Sequence, residues 1–411
     1  MIPAAYRPTT LPARARNTAL RRVIIQALLL RLLAVVLLNT VVSSTTFAPD
    51  HDYYRAVGAD LASYWSGDLT FLPLPLTGAG GLEGRGYFYV VGALFYVFGQ
   101  WAFLPGALNA IVGASLVWLV HDITLRLTKT EDVALRAARF VAFFPSLILW
   151  SAVGIRDVWV LLCILLTIRE TALLHEKYST TAILRGLLAM LALTQFRSYL
   201  LFALALPILI SFFLRGGRHL ARNTVLAMLL ALGVVYADTV AGFRVVGGRL
   251  NIEQQLQTLQ EMRHWSSTAA SSGFAADADI STPMGALTFL PVGLFYFLFA
   301  PFPWMLGSVR QTVAAPEMLF WYSLMPAMLR GGRILVRERR RESIFLLLLL
   351  ISLSIGYAIG QGNIGTMFRH RAQVLPIFLI LAAVGRRRTL PGPAEREIVP
   401  RGRALGLRSS P

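Results

Sequence analysis

The sequence predicts an all-α fold, a polytopic transmembrane helical bundle of about 10–12 helices. Of its 411 residues, 56% are hydrophobic and only 15% are charged, whereas soluble globular chains carry roughly 25% charged residues. The apolar residues fall in runs, such as SIFLLLLLISLSIGYAIG from Ser343, whose length matches the roughly 30 Å hydrocarbon core of a bilayer. The single cysteine, Cys163, lies inside such a run. These features exclude a soluble enzyme, a secreted disulfide scaffold and a disordered chain.

The formal net charge of +18 comes from arginines clustered between the apolar runs. This is the positive-inside pattern of membrane proteins, so the charge orients the chain and does not indicate nucleic acid. We expect a basic cytoplasmic tail over 1–22, a membrane domain over 23–385 and a disordered basic cytoplasmic tail over 386–411. The first crossing spans about Val23–Val42. Arginine greatly outnumbers lysine, which is typical of GC-rich bacterial genomes and predicts a bacterial inner membrane.

Two polar stretches, 43–85 and 242–283, are predicted as external loops that carry surface-lying helices. The segment Leu250–Trp265 has apolar residues near helical spacing, which predicts an amphipathic helix on the outer surface. Two short apolar segments, Tyr87–Phe98 and Met318–Leu329, would place basic loops outside the membrane if they crossed it. We therefore expect them to be partial or surface-lying, and count about ten full crossings among the other apolar segments.

The first polar group of the predicted outer face follows the first crossing and reads Asp50-His51-Asp52, with Arg55 one turn later. An aspartate at this point suits a general base acting on an acceptor hydroxyl, or a ligand of a divalent metal such as Mg or Mn. The alternative interpretation is a solvated loop start in which an aspartate caps the next helix. From these residues alone the structural alternative is favoured.

Two further polar groups lie close to predicted hydrocarbon, where charge is costly and usually has a use. Arg156-Asp157 sits between two apolar runs with hardly any loop. Arg369-His370-Arg371 follows a glycine-containing turn, and two arginines there suit a phosphate or pyrophosphate. The alternatives are an ion pair that locks two helices and a lipid-headgroup anchor. Other arginines of this face are interpreted as structural or headgroup-binding, namely Arg197, Arg244, Arg249 and Arg263.

The order of segments over about the first 175 residues resembles the GT-C glycosyltransferases of membranes, in particular bacterial relatives of protein O-mannosyltransferases and aminoarabinose transferases. The resemblance rests on the acidic start of the first loop, on GRGYFYVVGALFYVFG from Gly84 and on ALRAARFVAFFPSLILWSAVGIRD from Ala134. It implies that Asp50 or Asp52 is the catalytic or metal-linked residue and that Asp157 is the second acidic residue. If a metal is bound, it implies Asp52 and Asp157 as ligands. The chain departs from the family where Asp-His-Asp replaces a paired Asp-Glu.

The resemblance implies transfer of a sugar from a polyprenyl-phosphate-linked donor to a glycan, lipid or protein acceptor on the outer face. Asp50 or Asp52 would act as the base, and Asp157 would position the acceptor or a metal. The predicted phosphate-binding set is Arg55, Arg156, Arg369, His370 and Arg371. One alternative is an O-antigen polymerase or ligase that uses undecaprenyl-pyrophosphate glycans. A second is a non-catalytic polysaccharide or lipid transporter. Membrane lipids are expected partners and nucleic acid is not.

Overall fold

The computed structural model of the chain describes residues 13–70, 72–77, 85–214, 252–268, 272–305 and 309–387. Within these ranges the regular structure is entirely helical. The α-helices, in chain order, are α1 (Ala13–Thr40), α2 (Asp50–Trp65), α3 (Arg85–Phe98), α4 (Leu104–Thr128), α5 (Glu131–Phe143), α6 (Pro145–Ala152), α7 (Asp157–Glu176), α8 (Thr180–Arg197), α9 (Leu200–Phe213), α10 (Ile252–Thr268), α11 (Pro283–Phe299), α12 (Val309–Glu338), α13 (Arg340–Gly360) and α14 (Ile364–Gly385). The predicted all-α class is confirmed.

Five of the described helices are long and apolar enough to cross a membrane, which fits a multi-pass membrane protein. These candidate spans are Asn17–Thr40, Leu104–Thr128, Asp157–Glu176, Arg340–Gly360 and Ile364–Gly385. The bent pair α5–α6 raises the number to six if it forms one span. The sequence predicts about ten crossings. One of them, Val225–Ala237, lies outside the described residues, and two others correspond to the shorter apolar helices Ala203–Phe213 and Pro283–Phe299.

The long helices give the bundle two ends. α7 has 20 residues and is therefore about 30 Å long. Towards the C-terminal end of α7 and at the start of α5, cations from several helices pair with carboxylates, and we call this the basic end. These cations are Arg126, Lys129, Arg185 and Arg387. The first turn of α7 begins at Asp157, and we call this opposite end the Asp157 end. It carries the candidate site.

The helices α2 and α3 both lie at the Asp157 end and run side by side in the same direction. They approach closely because Gly58 and Gly92 carry no Cβ, and an added Cβ would overlap Val91 or Leu61. The backbone at the start of α3 lies beside Gln195 near the end of α8. α4 also begins at this end, since the Gly106 backbone abuts the Ala152 carbonyl at the end of α6. The chain thus leaves α1 and enters α4 at the same end of the bundle.

The helices α11 and α12 together carry the chain through the bundle. α11 passes the end of α13, where the Gly293 backbone touches the Ala358 carbonyl. Its last carbonyls accept hydrogen bonds from Arg371, in the second turn of α14. α12 then runs beside α14 to the basic end, where Gly331 touches the Leu381 carbonyl. The second doubtful segment, Met318–Leu329, is therefore the middle of a 30-residue helix.

The predicted helix at Leu250–Trp265 is confirmed as α10. This helix is tied to the segment after it, because Arg263 donates to the carbonyls of Phe274 and Ala275. That segment pairs with the entry of α14, where the Phe274 amide donates to the Gly362 carbonyl. Several sequence predictions fall outside the described residues: the tails 1–12 and 388–411, Arg244, Arg249 and parts of both external loops.

Candidate functional site

The candidate site is organised around the carboxylate of Asp157, the first residue of α7. Its side chain is only 4% exposed. One carboxylate oxygen accepts hydrogen bonds from Arg197 Nη2 at 3.2 Å and from Gln373 Nε2 at 2.8 Å. The other accepts from Arg369, whose Nε lies at 2.9 Å and Nη2 at 2.5 Å. A carboxylate removed from water is stable only when its lone pairs are used in this way.

Arg369 joins the buried carboxylate to an exposed one. It lies in the second turn of α14, whose start is capped by the Asn363 side chain. While Nε and Nη2 hold Asp157, Nη1 donates to Asp50 Oδ2 at 2.8 Å. The guanidinium also lies 6.0 Å from the ring centre of Trp150, within the range of a cation–π contact. Two aspartates predicted from separate parts of the sequence therefore meet at one arginine.

Asp50 and Asp52 are not equivalent, although the sequence leaves either one as the base. Both lie in the first turn of α2, and residues two apart on a helix point to different sides. Asp50 is 49% exposed and contacts Arg369 through one oxygen. Asp52 is 64% exposed, and its one ion pair among the described residues is with Arg55, at 3.6 Å. The structure thus brings Asp50 to the site and leaves Asp52 and Arg55 outside it.

Arg197 is also a member of this site, although the sequence places it only among the structural or headgroup-binding arginines. It ends α8, is 4% exposed, and donates to Asp157, to Tyr199 Oη at 2.7 Å and to His370 Nε2 at 2.5 Å. The sequence predicts that His370 binds a phosphate. In the structure its Nε2 instead accepts a hydrogen bond from Arg197. Its ring also lies 5.0 Å from the ring of Tyr357, whose hydroxyl donates to Gln373 Oε1.

Arg371 does not reach the candidate site, contrary to its predicted phosphate-binding role. Residues 369 and 371 are two apart on α14 and so point to different sides. Arg371 is buried and donates to three carbonyls at the end of α11, those of Phe297, Leu298 and Ala300. It also lies 5.4 Å from the ring of Trp321. Its observed contacts are those of a helix-terminus cap.

Arg156 is the cation of the site that has no partner in the described part of the chain. It precedes α7, is partly exposed, and its Nε has no hydrogen bond there. The Tyr54 phenol faces this region: burial raises its pKa, and the charges of Arg156, Asp157, Arg369 and Asp50 act on it. The site therefore contains three guanidinium groups, those of Arg156, Arg197 and Arg369. It contains two carboxylates, those of Asp50 and Asp157. The described residues leave the site with one excess positive charge, which favours an anionic ligand.

The described side chains do not fit a Mg or Mn site. In the ranges that the structure covers, no group of three His, Cys, Asp or Glu side chains could hold a metal. An ion on Asp157 would have to displace Arg369, Arg197 or Gln373 from its oxygens. We therefore assign no step to a metal.

No protein-family model and no curated protein matches this chain. The functional assignment consequently depends on the geometry of the site.

His51 packs against the loop that leads to Arg156. It is 3% exposed and so close to Gly154 that a Cβ there would lie 2.8 Å from its Nδ1. Burial, followed by the charge of Arg55, holds the pKa of His51 below its usual value. The imidazole is thus neutral in the folded protein at neutral pH.

We expect His51 to make the protein less stable at low pH. The unfolded chain binds a proton on this imidazole below about pH 6.5, and the folded chain only at lower pH. The stability that neutral His51 contributes to the folded protein is therefore fully present above about pH 6.5 and is lost as the pH falls below it. Thermal unfolding in detergent at about pH 7.5 and about pH 5.5 should show a smaller drop in Tm for His51→Asn than for the natural chain. The exposed His264→Asn is the control, and equal drops in all three proteins would contradict the assignment.

Proposed function

We propose that this chain is a GT-C-type membrane glycosyltransferase, which moves a sugar from a polyprenyl-phosphate-linked donor to a hydroxyl of a glycan, lipid or protein acceptor. The observation that carries the proposal is the half-exposed Asp50 carboxylate, held by Arg369 in the same cluster as the unpartnered cation Arg156. Sugar transfer from a phosphate needs a base for the acceptor proton and a cation for the charge that develops on the leaving group.

The reaction follows from these two groups. Asp50 Oδ1, to which no described residue donates, accepts the proton of the acceptor hydroxyl. The acceptor oxygen forms a bond to the anomeric carbon, and the bond from that carbon to the phosphate oxygen breaks, leaving its electron pair on the phosphate. Arg156 binds the released polyprenyl phosphate. Arg369 and Asp157 orient the base, and neither is assigned a contact with substrate.

The distribution of charge supports a site on the outer side of the membrane. Basic residues gather at the opposite end, and the positive-inside tendency places that end in the cytoplasm. The last turn of α14 is also at the basic end, where Arg136 donates to the Ala383 carbonyl. With this orientation the N- and C-terminal tails would be cytoplasmic, in a bacterial inner membrane. The acceptor would then reach Asp50 from outside.

Two other functions use the same residues differently. A polymerase or ligase acting on undecaprenyl-pyrophosphate glycans would bind a second phosphate, but Arg371, one of the cations expected for it, is used at the end of α11. A transporter without catalysis is favoured by one observation, the 55° bend between α5 and α6, because broken helices are common in transporters. The choice of donor and the release of product separate these functions.

Replacing Arg156 with glutamine is expected to raise the KM for a polyprenyl-monophosphate sugar by roughly 10- to 100-fold, which is the range for loss of one charge-assisted hydrogen bond. The matched control is Arg55→Gln, a partly exposed arginine whose only described ion pair is with Asp52, and its KM should stay unchanged. Proteoliposomes that contain the full chain would receive radiolabelled sugar on either a monophosphate or a diphosphate lipid. Turnover of the diphosphate alone supports the polymerase or ligase, and lipid flux without product supports the transporter.

A further inference from the structure

The break between α5 and α6 leaves backbone groups without helical partners. Phe144 is extended, with φ −73° and ψ 123°, and Pro145 has no amide hydrogen to donate to the Val141 carbonyl. In a continuous helix the Ser146 amide would donate to the Ala142 carbonyl. The Val141 and Ala142 carbonyls and the Ser146 amide are therefore among the groups that need other partners, since buried backbone groups are costly when unpaired.

Arg31 supplies the partners of the two carbonyls. It comes from the middle of α1 and is 1% exposed. Its Nη2 donates to the Val141 carbonyl at 3.1 Å, and its Nη1 donates to the Ala142 carbonyl at 3.0 Å. Gly113 on α4 makes room for this side chain, because a Cβ there would lie 2.9 Å from Arg31 Nε.

Glu317 supplies the partner of the amide. It lies on α12, is 5% exposed, and its Oε2 accepts the Ser146 amide hydrogen at 2.5 Å. A carboxylate at the first turn of a helix also interacts favourably with the helix dipole. The two sides of the break are thus held by side chains from two other helices.

The short helix α6 connects this break to the candidate site. It has eight residues and is therefore about 12 Å long. Trp150 on its last turn lies against Arg369, and the loop that follows α6 leads directly to Arg156 and Asp157. The side-chain amide of Asn109 holds that loop by donating to two of its carbonyls. A change in the bend would move Trp150 and the start of α7.

We propose that Arg31 and Glu317 are positioning residues, which hold the bend between α5 and α6 and thereby place Trp150, Arg156 and Asp157 at the site. They touch no substrate. The consequence for sugar transfer rests on the function proposed above, whereas the effect on the bend can be measured independently of any activity.

Hydrogen–deuterium exchange of the full chain in detergent tests the effect on the bend. Glu317→Met is expected to speed exchange in the α6 segment, Ser146–Ala152, by roughly 10-fold or more, because the Ser146 amide loses its partner. Glu317→Gln should exchange within about threefold of the natural chain, since an amide oxygen also accepts a hydrogen bond. The matched control is Glu261→Met, which removes an exposed carboxylate from α10. Exchange in the α13 segment Leu346–Leu353, which does not contact the bend, serves as the internal reference.

Unchanged exchange in Glu317→Met would overturn the proposal, and so would equal acceleration in Glu317→Gln, which would assign the effect to charge alone. If Glu317→Met yields no folded protein, Glu317→Asp shortens the side chain by one methylene and is expected to speed α6 exchange selectively. A chain that transfers no sugar would refute the proposed function and leave these exchange results to decide the role of Glu317. If the chain does transfer sugar, Glu317→Met should lose transfer and Glu317→Gln should retain it.

Discussion

Replacing Arg369 with methionine is expected to lower the free energy of unfolding by about 3–5 kcal/mol, the range for removing one partner of a buried ion pair. Asp157 would keep Arg197 and Gln373 and lose both hydrogen bonds to its other oxygen. The measurement is unfolding of the detergent-solubilised chain by a denaturing detergent. Arg156→Met is the control, because this arginine has no described ion pair, and its change should stay within about 0.5 kcal/mol.

The double variant Arg369→Met with Asp157→Asn tests whether the loss comes from the pair. Asparagine can keep the contacts with Arg197 and Gln373 without a buried charge. We expect the double variant to lose about 1–3 kcal/mol less than the sum of the two single variants, as for residues in direct contact. Additive losses would show that Arg369 stabilises the protein through other contacts, and the described link from Asp157 to Asp50 would then have no energetic basis.

Replacing Asp50 with asparagine is expected to slow sugar transfer by roughly 100- to 10,000-fold, the usual contribution of a general base. The side chain is half-exposed, so losing its ion pair should change stability by under about 1 kcal/mol. The loss should appear in kcat, because asparagine keeps an oxygen for Arg369 and the phosphate-binding cation is untouched. Initial rates in proteoliposomes, together with the unfolding measurement, separate loss of catalysis from loss of folding.

Asp52→Asn is the matched control for that experiment, since it removes a carboxylate two residues away on the same helix turn. Asp52 faces solvent near Arg55, and we expect transfer within about twofold of the natural chain and unchanged stability. Loss of activity in Asp52→Asn with full activity in Asp50→Asn would reverse the assignment of the base. Full activity in both would leave the proposed reaction without a base.

Much of the fold follows from the sequence because apolar runs of membrane length have few alternatives to helix. The intervening arginines indicate which ends lie together, and the short length of 87–98 indicates a helix shorter than the long spans. The path of the chain through the bundle along α11 and then α12 was not foreseen. It depends on Arg371 accommodating the end of α11, and this contact joins residues far apart in the chain.

Part of the candidate site was also predictable from the sequence. Asp50, Asp157 and Arg369 stand out because charges beside hydrocarbon need a use. The sequence indicates a structural or headgroup-binding role for Arg197, and the packing of α8 against α7 brings its side chain to Asp157. Gln373 lies inside an apolar run and has no local signal. The sequence predicts that Arg369 and Arg371 bind one phosphate together. Because residues two apart on a helix point to different sides, Arg371 instead reaches the end of α11.

The most direct measurement of the central claim is the content of lipid-linked sugars in cells that lack this gene and carry a complementing copy. Cells complemented with Asp50→Asn should accumulate a sugar on polyprenyl monophosphate, detected by mass spectrometry of lipid extracts. Cells complemented with the natural chain or with Asp52→Asn should not accumulate it. The same content of lipid-linked sugars in all of these cells, and in cells without any copy, would contradict a role in sugar transfer from a polyprenyl phosphate.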